Sequence, residues 1–465
     1  MEKRPAPHAH PAARNLISLL NPKGAASQPH TEGRESCLLY WSLAAMRRGI
    51  HAGLMQFKPM VVSWAMVVAC LWLEVGHADD RIWMHAEING KRARLEFDTG
   101  ASGLGLWPAT AERFGLKFTV PPTNAPLAPN QFAEGRTEEC TLRLWRTTFW
   151  RTTDRVQFRV PVMPNYIEGS FDGLIGWGYY GSDIIQIDAG GCKVAFPSRL
   201  PEKVARWTKL PLRNSACLYL ELPQANGTHE ILAVDTGDTV GVALHPDKWR
   251  EWKTSHPKQP RTLTSGFMLG TGRVVKEEAW AEDLELGPLV LAGVPVTEAN
   301  PSQVAQGSPQ FRASLGIAAL KRLDLIVDRR NGVAYLRPKT TPPPAYQHNR
   351  LGAVFTHADP KSERRLATVL DGSPAYEAGV RNGDVLSGVD VPRQPNPKTN
   401  TYYQHLLQRP REAERAGNET KLPPIDAIFQ GPAGTKLTIT LTRGGKTVKA
   451  TALLRDIVAP EYAKP

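Results

Sequence analysis

The chain reads as mainly β, built from a duplicated half and followed by a second, smaller β domain. A strand-like apolar run ends in Asp-Thr-Gly twice, at Leu95-Glu96-Phe97-Asp98-Thr99-Gly100 and at Ala233-Val234-Asp235-Thr236-Gly237, 137 residues apart (235 − 98 = 137). Each loop is then followed, at matching distance, by an apolar-Gly segment. Gly176 of Leu174-Ile175-Gly176 lies 78 residues beyond Asp98 (176 − 98), and Gly316 of Ser314-Leu315-Gly316 lies 81 beyond Asp235 (316 − 235). Runs closing on Asp188 and Asp328 repeat in the same way. Repetition at so long a period means a duplicated domain rather than a solenoid. Composition sets the class: 39 Gly and 39 Pro punctuate short alternating runs, as many strands joined by turns require.

The start of the chain stands apart. Residues 1–45 are rich in Pro, His, Ala and Ser. Then come Met46-Arg47-Arg48, an apolar run from Met60 to Leu73, and Gly76-His77-Ala78 before Asp79. A basic flank, a short apolar core and small residues before a break predict a secretory signal peptide cleaved after Ala78. The run falls short of the ~20 apolar residues of a membrane span. Two rival readings stay open for residues 1–78. Val67-Val68-Ala69-Cys70 resembles a lipobox that would lipidate Cys70, and the segment also fits a retained anchor.

Residues 79–200 form the expected first lobe. Ile82, Met84, Ala86 and Ile88 alternate with polar neighbours, Asn89-Gly90 offers a tight turn, and Ala93 to Phe97 delivers Asp98. A short helix is expected over 109–114, and a strand over Cys140 to Trp145. Residues 201–340 repeat the plan: Leu218 to Leu222, a turn at Asn226-Gly227, then Glu230 to Val234 delivering Asp235. Leu284 to Leu289 and Ala292 to Val296 read as a strand pair, and Gly266 to Gly272 as either a flap of the second lobe or an inner strand.

The doubled Asp-Thr-Gly, each followed by its apolar-Gly segment, resembles the aspartic proteases of the retropepsin and pepsin type over residues 81–337. The resemblance implies a bilobal fold with Asp98 and Asp235 facing each other in one cleft. It further implies that Thr99 and Thr236 brace the opposite loops and that Gly100 and Gly237 donate amides to the carboxylates. Gly176 and Gly316 would cross behind the loops, and a substrate-covering flap would fall at the hairpin around Glu134-Gly135-Arg136. Two close carboxyls cannot both ionise, so the pair titrates as a unit. The charged partner draws a proton from a held water, which attacks a peptide carbonyl while the protonated partner bonds the oxyanion. This chemistry calls for no cofactor and no metal. Asp238 departs from the small residue usual at its position, and Ser314 stands where an apolar residue is usual. A lone Asp-Thr-Gly is most often a plain turn; two in matching registers favour the dyad.

Thr340-Thr341-Pro342-Pro343-Pro344 marks a stiff boundary, with 341–347 as linker. Beyond it, Gly372-Ser373-Pro374-Ala375 through Gly379 and Gly383-Asp384 reads as a serine-capped short helix leading into a strand. Leu437 to Leu441, Arg443-Gly444-Gly445-Lys446 and a final strand to about Ile457 follow. This resembles the PDZ domains of bacterial periplasmic proteases over residues 348–458, with 459–465 as a tail. The resemblance implies a peptide added to a sheet edge, its terminal carboxylate held by a backbone nest at Leu351-Gly352-Ala353-Val354-Phe355. Residues 392–424, polar and Pro-punctuated, read as a surface insertion.

The formal charge of +12 comes from scattered Lys and Arg without interleaved aromatics, so nucleic-acid binding is not indicated. Cys140, Cys192 and Cys217 lack metal-type spacing and allow at most one disulfide among themselves. Ser102 has no matched His and Asp, which argues against a serine hydrolase. The reading is an exported, periplasmic or cell-envelope bacterial aspartic endopeptidase acting on peptide or protein substrates, its PDZ domain docking a peptide tail or protein partner. Membrane attachment through the N-terminal segment or a lipidated Cys70 stays open. The competing reading is a non-catalytic peptide-binding or adaptor protein on the same scaffold.

Overall fold

A computed structural model describes residues 81–120, 133–145, 151–162, 171–180, 183–268, 272–301, 303–304, 310–340, 346–358, 362, 364–391, 396, 399, 403 and 425–458. The N-terminal segment with its signal-peptide pattern, most of the linker and most of the 392–424 insertion lie outside them.

The first Asp-Thr-Gly loop sits in a nine-stranded sheet. Trp83–Ile88 and Lys91–Asp98 form a hairpin, from Trp83↔Glu96 to Ile88↔Lys91. Asn89 and Gly90, both at positive φ, supply the turn its hand requires. Alternation buries Ile82, Met84, Ala86 and Ile88 beside Ala93, Leu95 and Phe97. The expected helix runs from Pro108 to Phe114, with Pro at its first turn and Gly115 closing it at φ 71.

Lobe two repeats the construction in a seven-stranded sheet, where Tyr219–Pro223 pairs with His229–Val234. Between the two lies a five-stranded sheet to which both halves contribute. Its central pair is Ile184–Asp188 against Leu323–Asp328, antiparallel from Ile184↔Asp328 to Ile187↔Leu325. The segments that repeat in the sequence are therefore neighbours in space. Asp188 and Asp328 each turn the chain by accepting an amide three residues on, from Gly191 (3.1 Å) and Asn331 (3.1 Å). One continuous apolar core runs through both lobes and this sheet.

Three expectations are corrected. Glu134-Gly135-Arg136 does not form a turn. Ala133–Thr137 is a strand with Phe118–Thr119 on one edge and Arg159–Val162 on the other, so both of its edges are occupied. Its hairpin with Phe118–Thr119 closes through 121–132, outside the described residues. The described part of Gly266 to Gly272 is not an inner strand: Gly266 to Met268 ends the edge strand Arg261–Met268, which pairs with Gly272–Leu286, and 269–271 lie outside the described residues. The last strand of the chain ends at Leu453 rather than near Ile457, because Arg455 leaves the ladder to donate its amide to Arg350 O (3.2 Å).

The C-terminal domain is a five-stranded sheet from Ala353–His357 to Lys446–Leu453 around its own apolar cluster. Ser373 caps the short helix Pro374–Glu377 by accepting from Tyr376 N (3.3 Å), and Gly379 closes it at φ 92. This domain is welded to lobe two. Tyr346, expected in a linker, donates its hydroxyl to Glu278 Oε2 (2.6 Å) and lies against Trp280. Thr262 Oγ1 donates to Asn349 O (2.6 Å), and Ser265 Oγ to Asp426 Oδ2 (2.8 Å).

Candidate active site

Each loop is delivered by a strand hydrogen-bonded on both sides. Lys91–Asp98 pairs in parallel with Gly173–Gly176, ending Asp98↔Gly176, and His229–Val234 pairs in parallel with Phe311–Leu315, ending Val234↔Leu315. The glycines behind the loops are dictated by contact. A methyl group on Gly176 would lie 2.5 Å from Ala101 O, and one on Gly316 2.4 Å from Val240 O. Gly176 N and Gly316 N donate to Gly103 O (2.7 Å) and Gly241 O (2.8 Å), tying each loop to its support.

The structure brings Asp98 and Asp235 together. A methyl group on Gly100 would lie 2.5 Å from Asp235 Cγ, and one on Gly237 2.6 Å from Asp98 Cγ. Each carboxyl group thus rests on the other lobe's glycine, which sets the two side by side. Gly100 N (2.8 Å) and Ala101 N (3.1 Å) donate to Asp98 Oδ1, and Gly237 N (3.0 Å) to Asp235 Oδ1.

Below them the threonines form the expected lattice. Thr99 Oγ1 donates to Val234 O (2.7 Å) and accepts from Thr236 N (3.0 Å). Thr236 Oγ1 donates to Phe97 O and accepts from Thr99 N (3.0 Å). Both threonines are fully buried, so these bonds have no water to replace them.

The two carboxyls are not equivalent. Burial lifts Asp98 above the usual carboxylate range, opposed by the amides of Gly100 and Ala101 and by the Arg81 charge. Burial lifts Asp235 well above that range, and the charges of Asp98, Asp238 and Glu96 push it further. Asp238 itself stands outside the dyad, accepting from Val240 N (3.2 Å) and Gln303 Nε2 (3.3 Å). Burial and its neighbours' charges thus favour a proton on Asp235 more than on Asp98.

Four neighbours escaped the sequence reading. Arg81 Nη1 donates to Glu96 Oε1 (2.6 Å) and to Gly237 O (3.4 Å). Cys217 Sγ donates to Gly100 O (3.0 Å), and burial beside the dyad pushes its thiol up to about 11. Tyr219, bonded to Cys217, is pushed up to about 12, chiefly by burial. Only strand parity offered a signal, since Glu96 lies two residues before Asp98 and faces the same way. Cys140, Cys192 and Cys217 are all free thiols.

The segment expected to take a peptide on the C-terminal domain begins an edge strand and packs against its own neighbours. Leu351, Gly352, Ala353, Val354 and Phe355 are all buried. Asn349 Oδ1 accepts from Leu351 N (2.9 Å) and Gly352 N (3.1 Å), the amides expected to hold a terminal carboxylate, while Asn349 Nδ2 donates to Ala353 O (2.8 Å). Among the described residues, no cluster of three or more His, Cys, Asp or Glu is placed to hold a metal, and no helix is long and apolar enough to cross a membrane.

Comparison with known proteins agrees with lobe one. Residues 84–179 match the family model described as aspartyl protease, a span that contains Asp98 and Gly176 but not Asp235. No curated protein matches the chain.

Proposed function

We propose that the chain is an aspartic endopeptidase in which Asp98 and Asp235 jointly activate a water for attack on a peptide carbonyl. The observation that carries this reading is the mutual seating of the two carboxyls, each against the opposite lobe's Asp-Thr-Gly glycine. Asp98, the more readily ionised of the two, takes the proton from the water, and Asp235, protonated, donates to the developing oxyanion. The Thr99–Thr236 lattice holds both loops rigid, so the geometry is in place before substrate arrives. The family match to lobe one supports the same chemistry.

The C-terminal domain is proposed to be PDZ-like, and its capped helix and edge strand support that assignment. Docking of a peptide tail there requires Asn349 to leave the amides of Leu351 and Gly352. Export is proposed from the Met46 to Ala78 pattern alone.

Asp98→Asn and Asp235→Asn, made separately, test the reading. Each should lower cleavage of an unfolded protein substrate by about 10²–10⁴-fold, the worth of an acid or base group, with the circular dichroism spectrum unchanged. Cleavage that survives both substitutions, or an unmutated chain inactive from acid to neutral pH, would leave the scaffold as a peptide-binding protein.

A further inference from the structure

The two halves of the site are related by a pseudo-two-fold, and the hydrogen bonds give the correspondence residue by residue. Phe97 N donates to Ile82 O (2.9 Å), and Val234 N donates to Leu218 O (2.9 Å). Phe97 therefore corresponds to Val234 and Ile82 to Leu218. Arg81 and Cys217, the residues just before, are counterparts, and both reach across to the opposite loop. Arg81 Nη1 touches Gly237 O (3.4 Å), and Cys217 Sγ touches Gly100 O (3.0 Å). By the same register Glu96 corresponds to Ala233, and Ala101 to Asp238. Lobe one thus carries an ion pair, half-exposed Arg81 with buried Glu96 at 2.6 Å, where lobe two carries a thiol and a methyl group.

We propose that the Arg81–Glu96 pair, present in one half only, breaks the symmetry of the dyad and so assigns the base role to Asp98 and the acid role to Asp235. This rests on the endopeptidase reading and adds two positioning residues to it. Arg81, Glu96 and Asp238 act in that sense, and Lys276 opposes it in part. Arg81 draws the proton off Asp98, while Glu96 and Asp238 hold it on Asp235. Lys276 faces Asp238 and Glu298 and offsets part of the Asp238 charge. Cys217 and Tyr219, raised to about 11 and about 12, stay neutral at working pH and add no charge. Glu96 is 5% exposed, so removing Arg81 alone leaves its buried negative charge less compensated, which pushes in the same direction.

The test is the pH profile of kcat/KM in the full chain. Arg81→Met should move the acid limb, set by ionisation of Asp98, upward by about one pH unit, the effect of losing one nearby opposite charge. Arg81→Lys, which keeps the charge, should restore it. Glu96→Gln should move the alkaline limb, set by loss of the Asp235 proton, downward. Should Arg81→Met not fold, Arg81→Met/Glu96→Leu removes the pair without an orphan charge and should bring the two limbs together. Independently of turnover, carboxyl titration of ¹³C-aspartate-labelled protein, assigned with the two Asn variants, should show Asp98 ionising first and the gap narrowing in Arg81→Met. An acid limb unmoved in Arg81→Met, or Asp235 ionising first, overturns the proposal. An unmutated chain without activity defeats only the endopeptidase reading, and the titration still decides this one.

Discussion

Replacing Thr99 by Val removes one hydroxyl and keeps the side chain's shape. The hydroxyl donates to Val234 O at 2.7 Å and satisfies Thr236 N at 3.0 Å, and both partners sit in the other lobe. Thr99 and Thr236 are fully buried, so no water replaces either bond. An orphaned buried backbone group costs about 1–3 kcal/mol, and two of them about 2–6 kcal/mol. At about 1.4 kcal/mol per factor of ten, amide exchange in peptides covering residues 95–101 and 231–237 should accelerate by at least about 30-fold. Hydrogen exchange read by mass spectrometry isolates this local opening from the rest of the chain. Thr99→Ser keeps the hydroxyl and should change the rates by less than about tenfold. Exchange in Thr99→Val equal to that of the unmutated protein would refute the view that the hydroxyl lattice binds the lobes.

Other outcomes follow from the same geometry. Gly316→Ala places a methyl group 2.4 Å from the backbone at Val240 O, and overpacking of that kind costs about 1–3 kcal/mol or more; calorimetry should show a lower Tm together with lost activity. The seam between lobe two and the C-terminal domain carries two opposed pH dependences. Burial raises Glu278 from 4.5 to about 7, so the folded state keeps a proton that the unfolded chain sheds, and stability falls as pH rises through that window. Burial lowers His348 from 6.5 to about 4, so stability falls as pH drops from 6.5 towards 4. Each slope amounts to about 3 kcal/mol, and they cancel where they overlap. Glu278→Gln should therefore lower the protection factors of seam peptides, corrected for intrinsic exchange, at pH 4.5 relative to 6.5, whereas those of the unmutated seam stay nearly flat. Cys217, raised to about 11, should react with iodoacetamide at pH 8 about 10²-fold more slowly than an ordinary thiol, as followed by mass spectrometry.

The dyad and its scaffold were legible in the sequence for a local reason. Each Asp-Thr-Gly is a contiguous motif at the end of an alternating run, and duplication printed it twice at a matching register. Gly176 and Gly316 were equally readable, because a close backbone approach tolerates glycine alone. Glu134-Gly135-Arg136 looks like a hairpin turn until two partner strands are seen to flank it. In the C-terminal domain, Asn349 folds back to accept from Leu351 N and Gly352 N, a contact that leaves no periodic trace in the sequence.

What the sequence alone determined is which carboxyls meet and what braces them, because motif, parity and repeat spacing are properties of neighbours along the chain. What only the tertiary structure decided is how unlike those carboxyls are. Arg81, Glu96, Cys217 and Asp238 act across the pseudo-two-fold through space. Electrostatic influence follows distance and burial rather than position in the chain, so the difference between Asp98 and Asp235 appears only once the two halves have closed on each other.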